Sequence, residues 1–246
     1  LRHWLTSLAC QATSVIRGQV FLQNKLAQVY AILIRHEYPE QWQAPLTSLL
    51  CNLQNGEDVI TMFLRILRAV DAEIINPECH RSPADSAVAM RVKDALREQC
   101  MGEIASSWYV ILHEFHVTNP SLVKECLVSM AAFINWIDVQ LVLNDKFVPA
   151  FYSLLDQDAF VQEVATCLTE SVLKKMEPRP KISLIRNLIH QPTLEAGLSR
   201  RTKGRTCSPG DDMSDLVALA TLTSAVCREL LVSADKLKNE NPAVAA

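Results

Sequence analysis

The sequence predicts an all-α protein, a right-handed α-solenoid of HEAT-like antiparallel helix hairpins (an ARM/HEAT superhelix). Three observations predict it. Apolar residues recur at helical spacing along most of the chain. Glycine is scarce, with 6 in 246 residues, whereas sheets joined by tight turns need it for positive φ. Two hairpins, opening near Pro120 and Asp158, start about 40 residues apart, close to the ~40–47-residue period of HEAT repeats. One hairpin cannot bury its own apolar face, so neighbours stack and present a curved inner wall.

Taken in order, Leu22, Leu26, Val29, Tyr30 and Leu33 form the buried face of the first full helix. Pro39 opens its partner, with Trp42, Leu46, Leu49, Leu50 and Leu53 at the same spacing, and Asn55-Gly56 closes the pair. Phe63, Leu67, Val70 and Ile74 mark the next helix, ended at Asn76-Pro77. After a polar connection at Ser82-Pro83, one helical stretch over 84–115 carries Ile104, Trp108, Ile111, Leu112 and Phe115. Thr118-Asn119-Pro120-Ser121 is a helix start, a capping residue with proline just inside. Val123, Cys126, Leu127, Met130, Ile134 and Ile137 are the buried face that follows. Asn144-Asp145 opens a partner with Phe147, Val148, Phe151, Leu154 and Leu155. Val161, Val164, Leu168 and Val172 come next, then Pro178 and Pro180, then Ile182, Ile185, Leu188 and Ile189. The pattern lapses from His190 to Asp212 and resumes as a helix over 212–237. Residues 1–246 thus read as one continuous array with an irregular basic loop at about 190–211, which holds three of the six glycines.

A net charge of −3 carries no global footprint for nucleic acid, so any such contact must be a local patch. The eight cysteines are scattered singly without a Cys-x-x-Cys pair, and most sit in apolar helical stretches as small core residues, which points to a reducing compartment. The longest uncharged apolar runs, 126–137 and 216–227, are shorter than the ~20 residues that span a bilayer, so no membrane insertion is expected.

Chemistry is sparse. His113 and His116 are spaced i, i+3, whereas zincin ligation needs i, i+4 with a glutamate between. Cys79-His80 has no further ligands nearby. There is no nucleophile elbow, phosphate-binding loop or dinucleotide fingerprint. Asp211, Asp212 and Asp215 fit the first turn of a helix, where the macrodipole favours acids. The chain is read as non-enzymatic, with no catalytic residues, cofactor or metal. The strongest electrostatic feature is Arg200, Arg201, Lys203 and Arg205, either a solvated loop or a phosphate contact. Lys174, Lys175, Arg179, Lys181 and Arg186 join the same candidate RNA-contacting set if the loop folds back. Trp42, Trp108 and Trp136 are read as core between hairpins.

Gln23-Asn24-Lys25-Leu26-Ala27-Gln28-Val29, with Glu37-Tyr38-Pro39 and Trp42, resembles an early repeat of the importin-β (karyopherin) superfamily of nuclear transport receptors. Arg97-Glu98-Gln99-Cys100, Ser107-Trp108-Tyr109, Trp136-Ile137-Asp138, Asn144-Asp145-Lys146-Phe147, Glu163-Val164-Ala165-Thr166-Cys167-Leu168 and Lys175-Met176-Glu177-Pro178 narrow the resemblance to its tRNA-exporting branch, over 22–189 and more weakly through the last helix. The resemblance implies a receptor that binds mature tRNA together with Ran-GTP, meets nuclear pore proteins and shuttles between nucleus and cytoplasm. It implies reading of RNA shape and 2′-hydroxyls, not base sequence. A receptor for protein cargo and a HEAT scaffold unrelated to transport share the architecture. The chain opens at Leu1 without methionine, and is expected to be a fragment of the N-terminal half of such a receptor. The resemblance places Ran mainly on the first hairpins, so this stretch by itself is expected to bind Ran poorly.

Overall fold

The computed structural model describes residues 2–11, 16, 18–76, 82–189 and 213–240. Among these the secondary structure is helical throughout, without a strand. Contacts divide the chain into two compact units, Leu1–Phe133 and Ile134–Ala246.

The first unit holds α1 (Arg2–Gln11), α2 (Val20–Glu37), a single turn α3 (Thr47–Leu50), α4 (Glu57–Val70), α5 (Pro83–Gln99), α6 (Met101–Phe115) and most of α7 (Pro120–Ile134). α1 and α2 run antiparallel: Arg2 at the start of one pairs with Glu37 at the end of the other, and Thr6 meets the Tyr30 hydroxyl at 3.2 Å. α6 and α7 form a second hairpin through residues 116–119, its interior closed by Trp108 edge-on to Phe133 at 5.7 Å. Between hairpins the direction is parallel. Arg65 of α4 donates to Asn24 of α2 at 2.6 Å, and Gln28, a turn further along α2, reaches Glu73 beyond the end of α4 at 3.4 Å. Asn119 and Glu125 of the α7 segment follow Glu57 and Arg65 of α4 in the same sense, at 2.7 and 3.4 Å. Antiparallel pairs whose members stack in parallel on the next pair are the packing of a helical-repeat protein.

The helix start predicted at Thr118-Asn119-Pro120-Ser121 is local and is found where expected. Asn119 Oδ1 accepts from the Leu122 backbone N–H at 3.1 Å, and its amide also donates to Glu57. Asn119→Ala removes both, and is expected to lower the stability of the chain by about 1 kcal/mol, read as a shift of the urea midpoint at constant slope. Val123, Cys126, Leu127, Met130 and Ile134 are fully buried, as are Phe63, Leu67, Val70 and Ile74.

Three expectations are corrected. The helix drawn through Trp42 to Leu53 is only one turn of α-helix and a 3-10 turn at Leu53–Asn55. Pro45 has no N–H and biases Ala44 away from helical dihedrals, while Leu46 and Leu49 are buried at the start and within that single turn. The stretch over 84–115 is two helices, broken at Cys100 with φ −140°. Gly102, in the first turn of α6, stands two residues beyond it. On α2 the buried face is Gln23, Leu26, Ala27, Tyr30, Ala31 and Ile34, and Leu22 and Val29 are 39 % and 44 % exposed. The two alanines leave that side slim enough for α4 to lie close against it.

The second unit holds α8 (Phe147–Leu155), α9 (Val161–Leu173), α10 (Pro178–Ile189) and a long helix α11 (Ser214–Glu240). Asn144 Oδ1 accepts from the backbone of Lys146 and Phe147, at 3.0 and 3.2 Å, and starts α8. The Tyr152 hydroxyl of α8 donates to the Leu188 carbonyl of α10, while α9 and α10 pack on α11. α11 is long and apolar enough to cross a membrane, with an 18-residue window of mean hydropathy 1.6. Core helices of water-soluble proteins pass the same test. Here Leu219, Leu222 and Ala225 are buried in the unit, although only 22 % of that window is buried and Val217, Leu231 and Val232 are exposed; Arg228 and Glu229 stand in mid-helix.

Candidate nucleic-acid interface

The nine basic residues singled out in the sequence meet different fates. Arg200, Arg201, Lys203 and Arg205 lie outside the described residues, as does the loop over 190–211. Of the other five, Lys174, Lys175, Arg179 and Lys181 cluster where α9 ends and α10 begins, because Pro178 restarts the helix four residues after Lys174, while Arg186 lies in the last turn of α10.

Lys181 is only 3 % exposed. Its ammonium donates to the carbonyls of Val172 and Lys174, at the C-terminal end of α9, and pairs with Glu229 of α11 at 3.2 Å. The last carbonyls of a helix carry no internal donor and a partial negative charge, so a cation there answers both. Lys181 is therefore a bolt through three helices, and the expectation that it contacts RNA is corrected. Lys174 is half-buried and donates to the carbonyls of Ile134 and Asn135 at 3.0 and 2.9 Å. Asn135 in turn donates to Glu170 at 2.6 Å.

Lys175, Arg179 and Arg186 are exposed. Arg179 and Arg186 lie seven residues apart on α10 and so share one side of it, two turns along. Lys175 stands in the connection just before. Together they put local positive charge on this surface, while the chain as a whole stays at −3.

Beside this corner a groove of about 690 Å³ runs between the start of α8 and α10. Leu143 and Val148 form one wall, and Met176, Pro180 and Leu184 the other. Spacing along the chain does not announce it, since Val148 reads as core and Leu184 falls outside the predicted face of α10. A second apolar position on the same helix, offset from Ile185 and Leu188, is the available signal.

The histidines at the end of α6 are accounted for locally. His113 stacks on Tyr109 at 6.0 Å, and the His116 Nδ1 lies 2.9 Å from the His113 carbonyl. Cys79-His80 is outside the described residues. Trp108 is fully buried as expected, and Trp42 is half-buried against Tyr30 at 4.9 Å.

These features define a class, the all-α helical-repeat proteins of the HEAT type, which work through extended surfaces instead of pockets of reactive groups. Within that class, residues 19–168 match the model of the Exportin 1-like protein family, and the chain belongs to that family. It is similar to Exportin-T of Arabidopsis thaliana, 36 % identical over 98 % of this chain, and of Dictyostelium discoideum, 37 % identical over 68 % of it. Exportin-T of Homo sapiens is 29 % identical over 89 %. The chain spans 24 %, 15 % and 22 % of the length of these relatives.

Proposed function

We propose that this chain is part of a non-enzymatic nuclear export receptor that carries mature tRNA together with Ran-GTP. The observation that carries the reading is the exposed corner of Lys175, Arg179 and Arg186 on a chain similar to Exportin-T over nearly its whole length. The corner supplies phosphate contacts, and stacked hairpins supply the rest by fitting the shape of a folded RNA and its 2′-hydroxyls. Each ligand that orders the array spares the other that cost, so tRNA and Ran-GTP tighten one another by about 5- to 150-fold. Passage requires contact with nuclear pore proteins, and the receptor shuttles between nucleus and cytoplasm.

The test is tRNA binding by the full-length protein with and without Ran-GTP, across a salt series. With Lys175, Arg179 and Arg186 all changed to Glu, the affinity is expected to fall by roughly two orders of magnitude at low salt. The slope of log affinity against log salt should become shallower by about 2 to 3, since each phosphate no longer neutralised takes slightly less than one from it. A triple variant that binds tRNA within about twofold of the parent, with an unchanged slope, removes this corner from the RNA interface.

A further inference from the structure

Asn55-Gly56, the pair that leads into α4, carries chemistry that the export reading does not use. It is the one place in the 246 residues where asparagine is followed by glycine. A glycine successor has no Cβ to hinder attack of its backbone nitrogen on the asparagine side-chain amide. Both residues are exposed. They stand at the end of the 3-10 turn Leu53–Asn55, where Gly56 has φ +125°. Nothing crowds the Gly56 Cα on the side where a side chain would project. The Gly56 N–H reaches the Leu53 carbonyl at 3.4 Å, beyond the usual range of an N–H···O bond, so the nitrogen is held loosely. The Asn55 carboxamide donates to Asn52 Oδ1 at 2.9 Å on the surface, where water competes for the same atoms. A cavity of about 840 Å³ beside the pair, lined also by Gln11, Glu57 and Asp58, gives the side chain room to turn and water access. Ring closure requires Asn55 to leave its 3-10 dihedrals, and so short a run, with its poor hydrogen-bond geometry, yields to that at low cost.

We propose that Asn55 is a site of spontaneous deamidation by water, which converts it to aspartate and isoaspartate. The Gly56 nitrogen gives its proton to hydroxide and bonds to Cγ of Asn55. Nδ2 takes a proton from water and leaves as ammonia, and the product is a succinimide ring. Water then opens the ring at either carbonyl. Attack at Cγ restores the ordinary chain as aspartate. Attack at the Asn55 main-chain carbonyl carbon routes the chain through Cβ and Cγ, which is isoaspartate. One water is consumed and one ammonia released, with no change of oxidation state.

The position gives the reaction a consequence. The Gly56 carbonyl accepts from the backbone of Val59 and Ile60, at 3.1 and 3.2 Å, and so starts α4, whose Phe63, Leu64 and Leu67 are fully buried. Isoaspartate lengthens the main chain by one methylene immediately before that start, and the first turn of α4 loosens. This inference stands on the turn alone and does not depend on the RNA reading.

The test ages the full-length protein for several days at mildly alkaline pH and physiological temperature, folded and, in parallel, unfolded in urea. Mass spectrometry maps the conversion of each asparagine, and an isoaspartate methyltransferase marks the isomer. Conversion is expected to be at least about tenfold faster at Asn55 than at Asn52, whose successor Leu53 carries a full side chain. It should rise in proportion to hydroxide, and the folded rate should lie within about tenfold of the unfolded one. In the converted fraction, hydrogen exchange at the Val59 and Ile60 amides should be at least about tenfold faster. Asn55→Gln, whose longer amide closes a ring far more slowly, should abolish both the conversion and the loosening. Conversion at Asn55 no faster than at Asn52, or a folded rate more than about a hundredfold below the unfolded one, overturns the proposal. Aged parent and aged Asn55→Gln with equal exchange at Val59 and Ile60 overturn its consequence for α4.

Discussion

Trp108→Ala is expected to lower the unfolding free energy by about 4 kcal/mol, within the ~3–5 kcal/mol that emptying a large aromatic site costs. Trp108 is fully buried, packed edge-on against Phe133 at 5.7 Å, and its own backbone carbonyl accepts the Cys126 thiol at 3.8 Å. Alanine leaves a void between two helices that close packing on both sides keeps from collapsing. Trp108→Phe should cost far less, about 1 kcal/mol, because the indole N–H has no protein acceptor and its removal strands no partner. Urea unfolding of the two variants separates these outcomes. Equal losses would mean that the site is held by something other than its volume.

The second large effect concerns the buried lysine. Lys181→Ala is expected to cost about 3 kcal/mol, since breaking a buried pair from one side leaves Glu229 only the exposed Arg228, at 3.8 Å, as a cationic partner. Glu229 retains some exposure, 21 % of its side chain, which moderates the loss. The carbonyls of Val172 and Lys174 also lose their donor. Substituting Glu229→Gln as well should recover part of the cost, because the stranded charge goes with it, and a double-mutant cycle measures that coupling. The loss should barely change with salt, since a buried pair is little screened. Binding of tRNA at a temperature where the variant is folded should stay near the parental value. If Lys181→Ala instead left unfolding untouched and weakened tRNA about tenfold, the lysine would be a surface contact after all.

The contrast between Lys181 and Arg179 shows where the limits of sequence lie. Both are basic residues in the first turn of one helix, two positions apart. Helix starts were legible at Asn119-Pro120, Asn144 and Pro178 because capping and the missing proline N–H act within four residues. The buried face of α7 was legible because Val123, Cys126, Leu127, Met130 and Ile134 repeat at helical spacing and all face inward. The face of α2 was misjudged by a small rotation. Leu22 and Val29 are as apolar as Leu26 and Tyr30, and only the neighbour that packs on Ala27 and Ala31 chooses between them. The break at Cys100 had only Gly102, two residues on, to announce it.

From sequence alone came the all-α class, the placement of most helices and the kinship with export receptors, because helical periodicity and capping are properties of contiguous residues. Tertiary structure alone decided which cations remain available. Lys181 is consumed by carbonyls of α9 and a carboxylate of α11, while Lys175, Arg179 and Arg186 keep their exposure. The same holds for the groove, whose walls come from residues up to about 45 positions apart that neither periodicity nor charge pattern joins. Burial and pairing depend on what a neighbouring helix brings to the contact, and that identity is written nowhere near the residue it changes.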